Sequence, residues 1–100
     1  MTRAHYRVDI PPEVAQHIGG LHPQLKRQVR AALSIIVADP WAGKPLIREL
    51  AGLSSFRVGR VRIVYRVTTG RVVELVAVGP REAIYDLTER LIGKNEDSVK

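Results

Sequence analysis

The side chains best suited to chemistry in this sequence are its arginines. Of 16 basic residues, four are lysines (Lys26, Lys44, Lys94 and Lys100) and the rest are Arg. A guanidinium grips phosphate through parallel N–H donors and stacks on flat bases, which the point charge of Lys does poorly. The charge is also concentrated. From Lys44 to Arg71 stand Lys44, Arg48, Arg57, Arg60, Arg62, Arg66 and Arg71, against a single acid, Glu49. That local balance of +6 equals the formal net charge of the whole chain. One reading is a cradle for nucleic-acid phosphates, with affinity falling steeply as salt rises. The other is a solvated face, with strand arginines blunting an open edge or pairing with Glu74. The near absence of acids puts the two readings level.

Other chemistry is thinly represented. His5, His17 and His22 all fall in the first quarter, away from the arginines, and read as surface or structural residues. No metal-ligand spacing, Gly-rich phosphate loop or nucleophilic triad is visible. Tyr65 falls on the apolar side of its strand and reads as a packing residue. Tyr85 follows Arg81 by four positions, so on a helix the two share a face. Cysteine is absent, which fits a reducing compartment. No apolar run approaches the ~20 residues of a membrane span, and the start has no secretory apolar stretch. The expectation is a cytoplasmic protein.

These side chains need a scaffold, and 100 residues suffice for one domain, expected over 1–93 with a polar tail at 94–100. Tyr6, Val8 and Ile10 alternate with polar residues and predict a strand. Val14, Ile18 and Leu21 predict a helix over about 12–19. Leu25, Val29, Leu33 and Ile36 form the stripe of a longer helix from Pro23, stopped at Asp39-Pro40. The segment 41–55 reads as loop. Strands return at Phe56–Val58, Val61–Val67 and Arg71–Val78, with Thr68-Thr69-Gly70 as a three-residue hairpin loop. That loop pairs Ile63 with Leu75 and Tyr65 with Val73, and puts Arg62, Val64 and Arg66 on the opposite face. Ile84, Leu87 and Leu91 predict a terminal helix over about 81–92. The fold class is α+β: a small antiparallel sheet, an N-terminal helical hairpin packed on one face, and a short C-terminal helix.

The run from Glu49 to Tyr85 carries Leu50-Ala51-Gly52, then Arg57-Val58-Gly59, Arg62, Tyr65, Gly79, Arg81 and Tyr85. This order and spacing resemble the RelE/ParE toxin superfamily, over about residues 4–92. The resemblance implies a toxin of a type II toxin–antitoxin system. RelE-like members are ribosome-dependent mRNA endonucleases that work without metal or other cofactor, by attack of a ribose 2′-hydroxyl on the adjacent phosphate. ParE-like members share the fold and inhibit DNA gyrase without cutting RNA. The implied partners are a cognate antitoxin with an acidic C-terminal segment, the ribosome and mRNA, with gyrase as the alternative. Carried over by residue, Arg57, Arg62 and Arg81 match phosphate-holding positions, and Tyr85 matches a tyrosine that stacks on a base or assists proton transfer. Lys44, Arg48, Arg60 and Arg66 are the candidate RNA-binding residues around them. Two positions depart from the pattern: Ser55 and Pro80 stand where some members carry a basic group. A detoxified member that only binds an acidic partner is the third reading.

Overall fold

The computed structural model describes residues 6–80 together with Ile84, Tyr85 and Thr88. Five strands form one sheet in the order β1-β5-β4-β3-β2. They are β1 (Arg7–Asp9), β2 (Lys44–Pro45), β3 (Ser54–Val58), β4 (Val61–Thr68) and β5 (Val72–Pro80). Strands β2 to β5 are antiparallel neighbours, while β1 runs parallel to β5. Helices α1 (Pro12–Gly19) and α2 (Pro23–Ala38) lie between β1 and β2 in sequence. Both carry proline in their first turn, where its missing N–H has no partner to lose. His22 caps α2, its Nδ1 accepting from the Gln24 N–H at 3.2 Å, so one of the three histidines is structural and another, His17, is exposed on α1.

The main core joins Val14 of α1 and Val29, Ala32 and Ile36 of α2 to Ile63, Tyr65, Val73 and Leu75 of the central strands. The helices thus cover one sheet face, as the α2 stripe predicts. Tyr65 is fully buried. Its hydroxyl donates to the Pro40 carbonyl at 2.7 Å and accepts from the Gly43 N–H at 3.0 Å. Burial, helped by the Asp39 charge, pushes its pKa above the ordinary 10.0. A Cβ on Gly43 would stand 2.4 Å from the Tyr65 oxygen. Glycine there lets the chain close onto that hydroxyl before it enters β2.

The β4–β5 register differs from the sequence expectation. The turn is Thr69-Gly70-Arg71, one residue later, and Tyr65 pairs with Leu75, not Val73. Gly70 and Arg71 both take positive φ, 80° and 61°. Moving the turn by one residue moves the pairing by two. A two-residue slip returns every side chain to the same face, so hydrophobic alternation cannot detect it. A bulge between Val64 and Tyr65 then leaves Val76 without a partner, and Ile63 pairs with Val78 instead of Leu75. The bulge also turns Ala77 away from the helices, into a second cluster with Leu53, Val64 and Ile84 on the far face.

Two further differences concern the connections. The segment 41–55, read as loop, takes in most of one short 3-10 turn (Pro40–Ala42), all of another (Arg48–Leu50), the first two residues of β3 and the two-residue strand β2. A strand that short has no periodicity to detect. Of the predicted terminal helix, Ile84, Tyr85 and Thr88 are helical. The remainder, Arg81 included, lies outside the described residues, as does the tail 94–100. Among the described residues no helix is long and apolar enough to cross a membrane.

Candidate anion-binding site

The far face of the sheet carries Arg57, Arg62 and Arg66. Arg57 on β3 sits directly opposite Arg62 on β4. Directly opposed residues of an antiparallel pair project on the same side, with Cβ atoms about 5 Å apart, and like charges so placed destabilise the pair. Gly59 enters the β3–β4 turn at φ 57°, in the two-residue loop Gly59-Arg60 between Val58 and Val61. This tight turn brings Arg57 and Arg62 together: it sets the register two residue pairs away. Two pairs further along, Ser55 opposes Val64 on β4 and Lys44 on β2. Lys44, Ser55, Arg57 and Arg62 therefore share one face by strand alternation.

Beside them lies a pocket of about 290 Å³ whose lining includes Lys44, Leu46, Ile47, Leu50, Arg62 and Tyr85. Leu46 and Leu50 pack on the second cluster and form the apolar floor. Ile47 and Tyr85 are 71% and 42% exposed and stand as rims. Two cations over an apolar floor, with an aromatic ring at the rim, suit an anionic ligand that also presents a flat apolar surface.

The structure sorts the remaining candidates. Arg62 is half-buried and Arg57 is exposed. Arg62 Nη1 donates to Ser55 Oγ at 3.1 Å. Its Nε is buried without an acceptor among the described residues. Arg60 is exposed in the tight turn, and Arg48 is exposed on its 3-10 turn at φ 59°. That left-handed conformation is uncommon for a long side chain. Arg66 lies on the same face, four residues along β4, and is paired with Glu74 directly across the strand. The pairing anticipated as the bland alternative thus holds for Arg66, and for none of the pocket residues in the described set. The site brings together Lys44, Arg57, Arg62 and Tyr85, with Arg48 and Arg60 at its margin. Arg81 lies outside the described residues.

Sequence reasoning missed the apolar wall, since Leu46, Ile47 and Leu50 fall in a segment without periodicity. It also counted Ser55 only as the loss of a basic group, whereas the residue is 3% exposed and bonded to Arg62. Among the described residues no group of three or more His, Asp and Glu is placed to hold a metal ion.

Comparison with known proteins gives this geometry a context. The profile of the ParE toxin of type II toxin–antitoxin systems matches residues 6–85. No curated protein sequence gives a significant match. Among solved structures, the RelBE2 toxin–antitoxin complex of Mycobacterium tuberculosis contains a chain 31% identical, at a TM-score of 0.69, over 78% of this chain and 100% of that one. A free-state variant of E. coli toxin RelE superposes at a TM-score of 0.75 with 18% identity, over 91% and 98% of the two chains. The archaeal RelE–RelB complex of Pyrococcus horikoshii superposes at 0.64 with 22% identity, over 78% and 97%. The last two are likenesses of fold. With four-fifths of its length matched, this chain belongs to the ParE toxin family of type II toxin–antitoxin systems, within the RelE/ParE superfamily.

Proposed function

We propose that this toxin is a ribosome-dependent mRNA endonuclease. The observation that carries the reading is the direct opposition of Arg57 and Arg62 beside a pocket that also holds Lys44 and Tyr85. Two like charges across a strand pair weaken the free protein. A phosphate between them turns that repulsion into two attractions.

In the proposed reaction a ribose 2′-oxygen attacks the adjacent phosphorus, the bond to the 5′-oxygen breaks, and a 2′,3′-cyclic phosphate and a 5′-hydroxyl result. Arg57 and Arg62 stabilise the negative charge that builds on the phosphoryl oxygens, and Arg81 adds a third guanidinium by its place in the family motif. Tyr85 stacks on a base at the pocket rim. Lys44, Arg48 and Arg60 hold flanking phosphates. Tyrosine and arginine side chains hold their protons well above neutral pH, so both are weak acid–base catalysts there. The reaction therefore leans on positioning and electrostatics, for which the ribosome arranges the mRNA.

The cognate partner is an antitoxin with an acidic segment, supported by the toxin–antitoxin complexes among the structural relatives and by the charge of +6. Helix α2 offers it a basic surface, with Lys26, Arg27 and Arg30 and no acid; Ile35 of the helix and Trp41 of the 3-10 turn after it are exposed apolar side chains.

The test is primer extension on a reporter mRNA in a purified translation system. New ends within A-site codons, absent without ribosomes, are the expected result. The second reading, gyrase inhibition, is favoured by the match to the ParE profile and by Ser55 and Pro80, which stand where some RelE/ParE members carry a basic group. It predicts intact mRNA and loss of supercoiling by purified gyrase.

A further inference from the structure

Arg62 is held in an unusual way. Its Nε is buried and, among the described residues, without an acceptor, a costly arrangement for a charged donor. Turning the guanidinium outward would hydrate that nitrogen. What opposes the turn is the bond from Nη1 to Ser55 Oγ at 3.1 Å. Ser55 is itself 3% exposed, locked on β3 between Lys44 and Val64. Its hydroxyl is therefore a fixed acceptor, and it sits diagonally across the strand pair from Arg62, on the face that carries the pocket.

We propose that Ser55 is a positioning residue for the anion site: its hydroxyl sets the orientation of the Arg62 guanidinium against the pull of hydration, so that the terminal nitrogens face the pocket and Arg57. The proposal rests on the reading of this face as the RNA-cleaving site. A guanidinium whose plane is already set loses less freedom on meeting a phosphoryl group, and its donors stand ready where charge develops. Ser55 thereby replaces, by orientation, the additional cation that some family members carry at this position.

The free protein supplies one test. In wild type the Arg62 Nε–H resonance exchanges slowly with water, and in Ser55→Ala it exchanges quickly, while Ser55→Thr, which keeps the Oγ, behaves as wild type. Equal exchange in wild type and Ser55→Ala overturns the proposal, whatever the fate of the nuclease reading. The second test is single-turnover cleavage on ribosomes loaded with mRNA. Ser55→Ala is expected to lower the rate constant about tenfold or more with little change in the half-saturating concentration, and Ser55→Thr to restore it. In an Arg62→Lys background, Ser55→Ala should cost nothing further. A full effect of Ser55→Ala in that background, or an equal loss in Ser55→Thr, would assign Ser55 to packing instead. Should Ser55→Ala fail to fold, Ser55→Cys keeps the volume while weakening the acceptor, and it must show the same faster Nε–H exchange. If wild type cleaves no mRNA but the exchange pattern holds, the nuclease reading fails and the orienting role of Ser55 stands.

Discussion

Replacing Tyr65 with Phe isolates one oxygen atom that ties the loop before β2 to the core. The ring stays and opens no large cavity, so the effect is confined to two hydrogen bonds, at 2.7 Å to the Pro40 carbonyl and 3.0 Å from the Gly43 N–H. Pro40 is buried, and its carbonyl then lacks an acceptor's partner at a cost of about 1–3 kcal/mol. Gly43 is only half-buried, and water recovers part of its loss, leaving about 0.5–1 kcal/mol. The expected destabilisation is roughly 2–3 kcal/mol, which for a domain of this size lowers Tm by about 10–20 °C. Calorimetry on both proteins measures it. The same hydroxyl gives a pH signature. Folding raises the tyrosine pKa above 10.0, so the folded state binds more protons there than the unfolded one. The stability is full below pH 10 and declines as pH climbs through the folded value. The Phe variant should lack that extra alkaline loss. Gly43→Ala should be severe in wild type, because its Cβ meets the Tyr65 oxygen at 2.4 Å, and milder beside Tyr65→Phe, a coupling that a double-mutant cycle reads directly. A Tm change under about 2 °C for Tyr65→Phe would refute the reasoning.

Three other expectations follow from named contacts. Arg57→Ala relieves like-charge opposition with Arg62 and should leave stability unchanged or raise it by up to about 1 kcal/mol, while toxicity on expression falls; urea melts and growth curves read the two effects separately. His22→Asp puts a stronger acceptor and a negative charge at the start of α2, in place of the imidazole that now accepts from Gln24, and should add about 0.5–1 kcal/mol in the same melts. Arg66→Ala breaks an exposed pair with Glu74 and should cost less than about 1 kcal/mol, with a smaller effect on mRNA cleavage than Arg62→Ala.

The parts of the fold legible in the sequence are those that repeat. The α2 stripe from Leu25 to Ile36 and the alternation along β4 mark the helix-covered face directly, because burial imposes the periods of helix and strand. The opposed arginines were half visible: Arg57 and Arg62 could be named, and the short Gly59-Arg60 turn is what makes them neighbours. The β4–β5 register was not legible, since a two-residue slip preserves every face and the bulge at Val64/Tyr65 leaves no mark in the apolar pattern. The pocket wall was equally hidden. Leu46, Ile47 and Leu50 are brought together by 3-10 turns and a two-residue strand, elements too short to have a period. Ser55 shows the limit of reading by residue type: by charge it is a loss, and by position it is a contact to Arg62.

The central claim is that Arg57 and Arg62 act together on a phosphoryl group. It is tested most directly by the single-turnover rate of mRNA cleavage on ribosomes for wild type, Arg57→Ala, Arg62→Ala and the double variant, with matched folding checked by circular dichroism. Each single change should slow cleavage by about 100-fold or more, with the double variant losing less than the product of the two. Cleavage by both single variants within about threefold of a wild type that cuts would contradict it.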